Sequence, residues 1–160
     1  MKKYEIYDDL LQPEHIICTL LKRSAYNCLT NTKVYSKKSF GEIRLRILEA
    51  FNLTQECNYI EEWAQNPGVI DLPQEHYDKD EELYEATGEY KFPLASCIIY
   101  IDIRNLIGSD LVIDNQDVII PKSARIVKLN PGVLHKVTPY VSGTRVSLNW
   151  NFWSEPLYIP

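Results

Sequence analysis

Positive charge is in short supply in this sequence: 17 lysines and arginines stand against 22 aspartates and glutamates, a formal net charge of −5. Non-specific affinity for nucleic acid comes from Lys and Arg neutralising phosphates, so DNA and RNA are not expected as direct partners. Long apolar runs are missing as well. The opening stretch "MKKYEIYDDLLQPEH" has no apolar core of signal-peptide length, and no later window approaches the ~20 apolar residues of a membrane helix. A soluble, cytoplasmic chain is the expectation. The four cysteines, Cys18, Cys28, Cys57 and Cys97, are far apart and form no C-x-x-C pair, which excludes a zinc knuckle and a dense disulfide framework and reads as buried free thiols in a reducing compartment. Repeats, low-complexity tracts and linkers are absent too. What remains is a chain of 160 residues, 45% apolar and 24% charged, the size of one domain over 1–160 that buries a single core.

Residues 1–55 read as a strand and two helices. "YEIYDDLL" (4–11) alternates weakly, and Pro13, acceptable in a first helical turn, precedes "EHIICTLLKRS", where Ile16, Ile17, Leu20 and Leu21 share a face. After a polar connection, "NTKVYSKK", a second helical pattern places Phe40, Ile43, Ile47, Leu48 and Phe51 at spacings of three and four, with Ser39 as its N-cap and Glu42 three residues on. Beyond residue 55 the segments become short, rich in Ile, Val and Tyr, and punctuated by Pro, Gly, Asn and Asp. Eight strands are predicted, at 57–64, 74–78, 94–103, 110–114, 117–121, 124–130, 133–139 and 144–153. Two helices followed by eight short strands predict a mostly β fold, a jelly-roll core over 56–153 carried on helical support.

There are three histidines, so their placement is informative. His15, among apolar residues of the first helix, reads as a helix-face histidine and is given no role. On a strand, residues two apart point the same way, so His76 and Asp78 in "EHYD" present an imidazole nitrogen and a carboxylate to one point while Tyr77 faces away. His135 follows the Pro–Gly turn of "PGVLHKVTP" and shares a face with Val133 and Val137. Two histidines and one carboxylate match the facial set that suits non-haem Fe(II) and leaves coordination positions open. By itself an H-x-D pair is more often surface polarity. Arg145, ten residues past His135 in "VSGTRVSLNWNFW", shares a face with Ser147. A buried guanidinium is costly unless an anion pairs with it, and its fork matches a carboxylate with two parallel hydrogen bonds. That anion is either a bound carboxylate or one of the chain's own acidic side chains.

Together these residues resemble the Fe(II)- and 2-oxoglutarate-dependent dioxygenases, within them the prolyl-4-hydroxylase-like branch. That family's pattern is H-x-D, a long insertion, a second His after a Pro–Gly or similar turn, then about ten residues to an Arg. "FPLASCIIYIDI" resembles the strand that carries the family's carboxylate-binding tyrosine, here Tyr100, which taken alone reads as a core aromatic. "LIGSDLVI" resembles a G-G-x-L turn with Ser109 for the second glycine and Asp110 intervening. "VIIPKSARIVKLNPGVLH" resembles the I-x-P-K-x-G run, with Ala124 where glycine is frequent and Leu129 where phenylalanine is. The resemblance spans roughly 56–153.

It implies a double-stranded β-helix, cupin-like, supported by about two helices. Fe(II) would sit on His76, Asp78 and His135, and Arg145, Ser147 and Tyr100 would hold the far carboxylate of 2-oxoglutarate. The implied activity consumes O2 and 2-oxoglutarate, releases succinate and CO2, and hydroxylates a peptide, prolyl or small-molecule substrate. Asp78, rather than a small residue, favours hydroxylation over halogenation. Two rival readings are a non-catalytic cupin-like metal- or ligand-binding module and a metal-free jelly-roll binding domain. The polar stretch "DKDEELYEATGEYKF" (78–92) is too long for a hairpin turn and reads as a loop at the barrel mouth. It is either a solvated lid or an acidic one, through Asp80, Glu81 and Glu85, that favours cationic substrates.

Overall fold

The computed structural model describes residues 2–12, 14–29, 31–67 and 74–160. Pro13 and the side chains of His15, Ile16, Ile17 and Cys18 lie outside the described residues. In chain order the elements are β1 (Tyr4–Tyr7), α1 (Glu14–Asn27), β2 (Lys33–Ser36), α2 (Glu42–Ala50), β3 (Tyr59–Gln65), α3 (Glu81–Thr87), β4 (Ala95–Gly108), β5 (Leu111–Ile113), β6 (Asp117–Ile119), β7 (Ile126–Leu129), β8 (His135–Val137) and β9 (Tyr140–Trp153). They form two antiparallel sheets. The major one has strand order β1-β7-β4-β9-β3-β2 and the minor one β6-β5-β8.

The period of two along the long central strands divides the molecule. Cys97, Ile99 and Ile101 of β4 and Val146, Leu148, Trp150 and Phe152 of β9 join Leu21 and Ala25 of α1 and Ile47 and Leu48 of α2 in the core between sheet and helices. The alternate residues Ile98 and Tyr100 face the minor sheet, packing with Val127, Leu129, Leu111, Ile113 and Ile119. Strands apolar on both faces are expected of a sheet covered on both sides. On β3 and β9, however, the inward face is polar. Three rungs of paired residues cross β4, β9 and β3 there: Tyr100–Ser147–Gln65, Ile98–Asn149–Trp63 and Ser96–Asn151–Glu61. A register shift falls between Tyr100 and Asp102, beside Arg145 on the next strand. Bulges of this kind re-aim side chains at functional sites.

Five expectations need correction. "NTKVYSKK" is not a plain connection, because Lys33–Ser36 pairs with β3 as the edge strand of the major sheet. Ser39 is not the cap of α2. It ends a short 3₁₀ turn, where its hydroxyl donates to Ser36 O at 2.8 Å, and Gly41 occupies the N-cap position with no side-chain cap bond. Leu20, expected on the buried face of α1, is 60% exposed while Leu21 is buried. The polar 78–92 stretch contains a helix, α3, and residues 74–78 contribute a single β-bridge at His76 rather than a strand. By contrast, both positions where glycine was replaced keep the glycine-like turn: Ser109 and Ala124 adopt φ of 58° and 65°, a left-handed conformation that costs a non-glycine residue about 1–2 kcal/mol.

An ion pair fastens the helical layer to the sheet. Lys22 Nζ of α1 donates to Asp102 Oδ2 of β4 at 2.6 Å, and Arg104 Nε lies 2.9 Å from Oδ1. Burial works to raise the Asp102 carboxyl, but the hydrogen bond from Lys22 and the two positive charges outweigh it and hold it below its ordinary value. A carboxyl depressed in the folded state stabilises the fold above its unfolded pKa, and that increment fades as pH falls through the folded value. Asp102→Asn is therefore expected to be less stable than the wild type at neutral pH, with the two converging below the ordinary carboxylate range. Denaturant titrations at a series of pH values measure the difference, and a gap independent of pH would refute the assignment.

Candidate metal centre

His76 and His135 are brought together by backbone pairing. The His76 N–H donates to His135 O at 2.9 Å and the His135 N–H donates to His76 O at 3.0 Å, so the chain at 76 adds a one-residue rung beside β8. Directly paired residues project side chains to one face of a sheet. The two imidazole centroids are accordingly 4.4 Å apart. Gly132, at φ 68°, forms the turn that leads the chain into β8. Asp78 arrives two residues after His76, with Oδ1 3.6 Å from His76 Nε2 and Oδ2 3.8 Å from His135 Nε2. One ligand atom from each of the three side chains lies within 4.8 Å of the others.

The tautomers suit a metal. His76 Nδ1 lies 2.7 Å from Gln74 O and His135 Nδ1 lies 3.1 Å from Val133 O. A carbonyl only accepts, so each Nδ1 carries the proton and each Nε2 offers its lone pair beside Asp78. Burial pushes the His135 pKa down, keeping this ring neutral and ready to ligate. At His76 burial acts in the same direction, but the adjoining Asp78 carboxylate prevails and raises its pKa. Burial alone would raise the Asp78 carboxyl, yet the two imidazoles that face it hold it below its usual range. The carboxylate is thus held in the ionised form that a metal site requires.

Behind this centre lies Arg145, fully buried on β9. Its Nη1 donates to Gln65 Oε1 and to Ser147 Oγ, both at 3.2 Å. Its Nε and Nη2 have no partner, nor has the buried hydroxyl of Tyr100 or Asn149 Nδ2. The guanidinium carbon is 5.3 Å from the centre of the Tyr100 ring. Among the described residues no carboxylate pairs with Arg145. Burial pushes the pKa of Tyr100 up, with the Arg145 charge opposing it, and burial pulls that of Arg145 down. A buried cation with two unmade hydrogen bonds is expensive, and an anion bearing several oxygens satisfies all of these donors at once.

The cavity at the triad is lined by Trp63, Gln65, His76, Asp78, Cys97, Ile98, His135, Val137 and Asn149 and has a volume of about 20 Å³, room for one water-sized group. A larger ligand enters only as lining side chains move. Gln65 is the one whose amide already stands in for an anionic oxygen at Arg145. Sequence reading missed Gln65 and Asn149. The signal was present in the period of two from Arg145 through Ser147 to Asn149, and from Trp63 to Gln65.

Two of the three acidic residues singled out in the 78–92 stretch have partners within the fold. Asp80 is 1% exposed and is spent on structure: Oδ1 caps α3 by accepting from Leu83 N at 3.2 Å, and Oδ2 accepts from Tyr158 N at 2.8 Å. Glu81 pairs with Lys79 at 2.8 Å. Tyr77, the residue facing away between the two ligand positions, packs against Tyr90 and Phe92 at centroid distances of 6.4 and 6.2 Å. Phe92 in turn lies against Gly132. The lid is thus anchored by an aromatic cluster beside the H-x-D segment.

No family model matches the chain, and no curated protein matches it. Its fold is that of the prolyl-4-hydroxylase-like 2-oxoglutarate oxygenases, a double-stranded β-helix with helical support. The viral collagen prolyl hydroxylase of Paramecium bursaria Chlorella virus-1 superposes with a TM-score of 0.65 at 20% identity, covering 96% of this chain and 91% of that one. The complex of that viral enzyme with 2-oxoglutarate gives 0.65 at 19% identity, covering 94% and 96%. A prolyl-4-hydroxylase of Pseudomonas putida gives 0.56 at 14%, covering 96% and 94%. Among the described residues no helix is long and apolar enough to cross a membrane.

Proposed function

We propose that this chain is an Fe(II)- and 2-oxoglutarate-dependent oxygenase that hydroxylates a peptide or small-molecule substrate. The observation that carries the reading is Arg145, a fully buried cation with two unpartnered N–H groups, set behind a His–Asp–His cluster whose three ligand atoms lie within 4.8 Å of one another. A metal-binding module without catalysis, or a metal-free binding domain, leaves that guanidinium without a purpose.

His76 Nε2, His135 Nε2 and an Asp78 oxygen would hold the ferrous ion. Arg145, Ser147 and Tyr100 would hold the far carboxylate of 2-oxoglutarate. When bound, metal and cosubstrate supply an oxidative decarboxylation with O2 that yields succinate and CO2 and delivers one oxygen atom to the substrate. The chain's own tasks are to orient and to exclude water. The Gln74 and Val133 carbonyls hold both imidazoles in the ligating tautomer, and the buried rung Tyr100–Ser147–Gln65 keeps bulk solvent from the guanidinium. Binding of the dicarboxylate exchanges the neutral Gln65 oxygen at Arg145 for a charged one, and charge-assisted hydrogen bonds are roughly twice as strong as neutral ones.

The test is anaerobic addition of Fe(II) and 2-oxoglutarate, separately and together. The weak visible charge-transfer band of the chelate is expected only with both, followed by succinate formation once O2 is admitted. No band under any addition would refute the reading. His135→Ala is expected to weaken Fe(II) binding by about 100-fold or more in anaerobic titration, since losing even an outer-sphere partner of a ligand costs about 10–100-fold. Unchanged metal affinity would remove His135 from the centre.

A further inference from the structure

The polar inward face of the major sheet continues past the metal cavity, away from Arg145. On successive rungs the sheet carries Tyr100–Ser147–Gln65 at the Arg145 end, Ile98–Asn149–Trp63 along the cavity, and Ser96–Asn151–Glu61 beyond it. The third rung lies beside Asp78, and Ser96 is one of the groups that favour that residue's ionised form. Glu61 is half-buried there. Its Oε2 is pinned by two donors of β9, Asn151 Nδ2 at 3.1 Å and Trp153 Nε1 at 3.3 Å, while no described residue bonds Oε1 and no described cation pairs with it. A second acceptor stands beside it: Asn151 is 3% exposed, and its Oδ1 has no hydrogen-bond partner.

The chemistry of this rung is one-sided. Two oxygen acceptors on touching side chains lack donors, and the nearby carboxylates Asp78 and Asp80 add negative field rather than relieve it. Asp78 has a metal to neutralise it in the proposed enzyme, and Asp80 is committed to the α3 cap and Tyr158. Of these three carboxylates, Glu61 has no counter-charge among the described residues. A half-buried, uncompensated carboxylate is costly, and the group that relieves both it and Asn151 Oδ1 is a cation rich in N–H donors.

We infer that Glu61, with Asn151, is the specificity-determining pair for the substrate and receives an ammonium or guanidinium group on the side of the metal centre opposite Arg145. This rests on the oxygenase reading above. This places a cation-selective carboxylate on the barrel wall, where it is held rigidly by two β9 donors instead of riding on an exposed helix. The cation could be the α-ammonium of a free amino acid or the side chain of a basic residue within a peptide.

The experiment uses the full chain loaded with Fe(II) and 2-oxoglutarate and reads substrate-stimulated succinate release alongside calorimetric binding under anaerobic conditions. One arm compares a set of free amino acids with their N-acetylated forms. The other compares end-blocked peptides containing Lys or Arg with the same peptides containing acetyl-lysine or citrulline. In at least one arm the cationic member is expected to bind and stimulate about 10–100-fold better than its neutral counterpart, the range of one to two charge-assisted hydrogen bonds. Glu61→Gln is expected to erase that preference by raising KM rather than lowering kcat, and Glu61→Lys to turn it toward acidic analogues. Equal response to charged and neutral members in both arms, or a preference that survives Glu61→Gln, overturns the assignment. Failure of the parent reading is told apart by the absence of the charge-transfer band in the wild type, which overturns both; a normal band without charge preference overturns the role of Glu61 alone.

Discussion

Arg145→Met is expected to separate the two halves of the site, keeping the ferrous ion and losing 2-oxoglutarate affinity by about one to two orders of magnitude, since hydrogen bonds to a charged group contribute roughly 1.5–3 kcal/mol each. The buried guanidinium is 0% exposed and makes two bonds through Nη1 while Nε and Nη2 make none. Without a bound anion the wild type therefore carries a desolvated cation that no described carboxylate neutralises, and replacing such a group with an apolar side chain of similar reach is often neutral or stabilising. The variant should melt at or above the temperature of the ligand-free wild type. It should also lose the upward shift that 2-oxoglutarate produces in the metal-loaded protein, because only a ligand that binds the folded state raises its stability. Thermal unfolding with and without 2-oxoglutarate, paired with anaerobic metal titration, reads both effects. A variant that 2-oxoglutarate stabilises as much as the wild type would remove Arg145 from the anion site. A variant that loses the metal as well would make the residue a structural support of the triad rather than an anchor for the cosubstrate.

Glu62→Ala should cost about 3–5 kcal/mol, the penalty of leaving buried charge and donors unpaired, from a fold whose total stability is on the order of 5–15 kcal/mol. Glu62 is fully buried on the helix-facing side of β3. Its Oε1 accepts from Ser24 Oγ at 2.9 Å, Cys28 Sγ at 3.3 Å and the Tyr35 hydroxyl at 3.2 Å, and its Oε2 accepts from Arg44 Nη2 at 2.9 Å and Trp150 Nε1 at 2.6 Å. These donors come from α1 and the residue after it, β2, α2 and β9, so one carboxylate ties the helical layer to three strands of the major sheet. Arg44 is held further by stacking on Tyr35, 3.9 Å from the ring centre. For a chain of this length a loss of that size corresponds to a fall in Tm of roughly 6–20 °C, and chemical denaturation followed by circular dichroism measures it. A loss under about 1 kcal/mol would mean that water or neighbouring groups replace the carboxylate at little cost. The same substitution at Glu61, one residue away, removes a carboxylate with two donors instead of five and should be far milder.

The contrast between these neighbouring glutamates explains what could be read in advance. A period of two assigns Glu61 and Glu62 to opposite faces of a strand, but nothing local says that one face meets two helices and the other a metal cavity. The H-x-D pair, by comparison, is a local statement. Two residues on one extended segment must project together, and the Pro–Gly turn before His135 with the ten-residue step to Arg145 extends that logic across a hairpin. The long central strands were visible for the same reason, since "ASCIIYIDI" and "TRVSLNWNFW" alternate or run apolar over enough residues to leave no competing pattern. Lys33–Ser36 and Glu81–Thr87 were invisible because each is short and polar. The first is a strand only by virtue of its pairing with β3, and the second a helix only because Asp80 and Gly88 cap a single amphipathic stretch at the barrel mouth. The misplaced cap at Ser39 has a similar origin: the serine hydroxyl found a nearer carbonyl, that of Ser36, and left Gly41 to start the helix.

By itself the sequence determined which side chains could ligate a metal and in what order along the chain, because strand geometry ties residues two apart to one face whatever the surroundings. Tertiary structure alone decided that His76 and His135 share a β-bridge with both Nδ1 atoms turned to carbonyls, that no described carboxylate pairs with Arg145, and that Glu61 lies one rung beyond the cavity with no described cation beside it while Glu62 knits the helices to the sheet. Those facts depend on partners up to 92 residues apart, as between Glu61 and Trp153, and the charge state and purpose of a buried polar group are set by what the folded chain places around it.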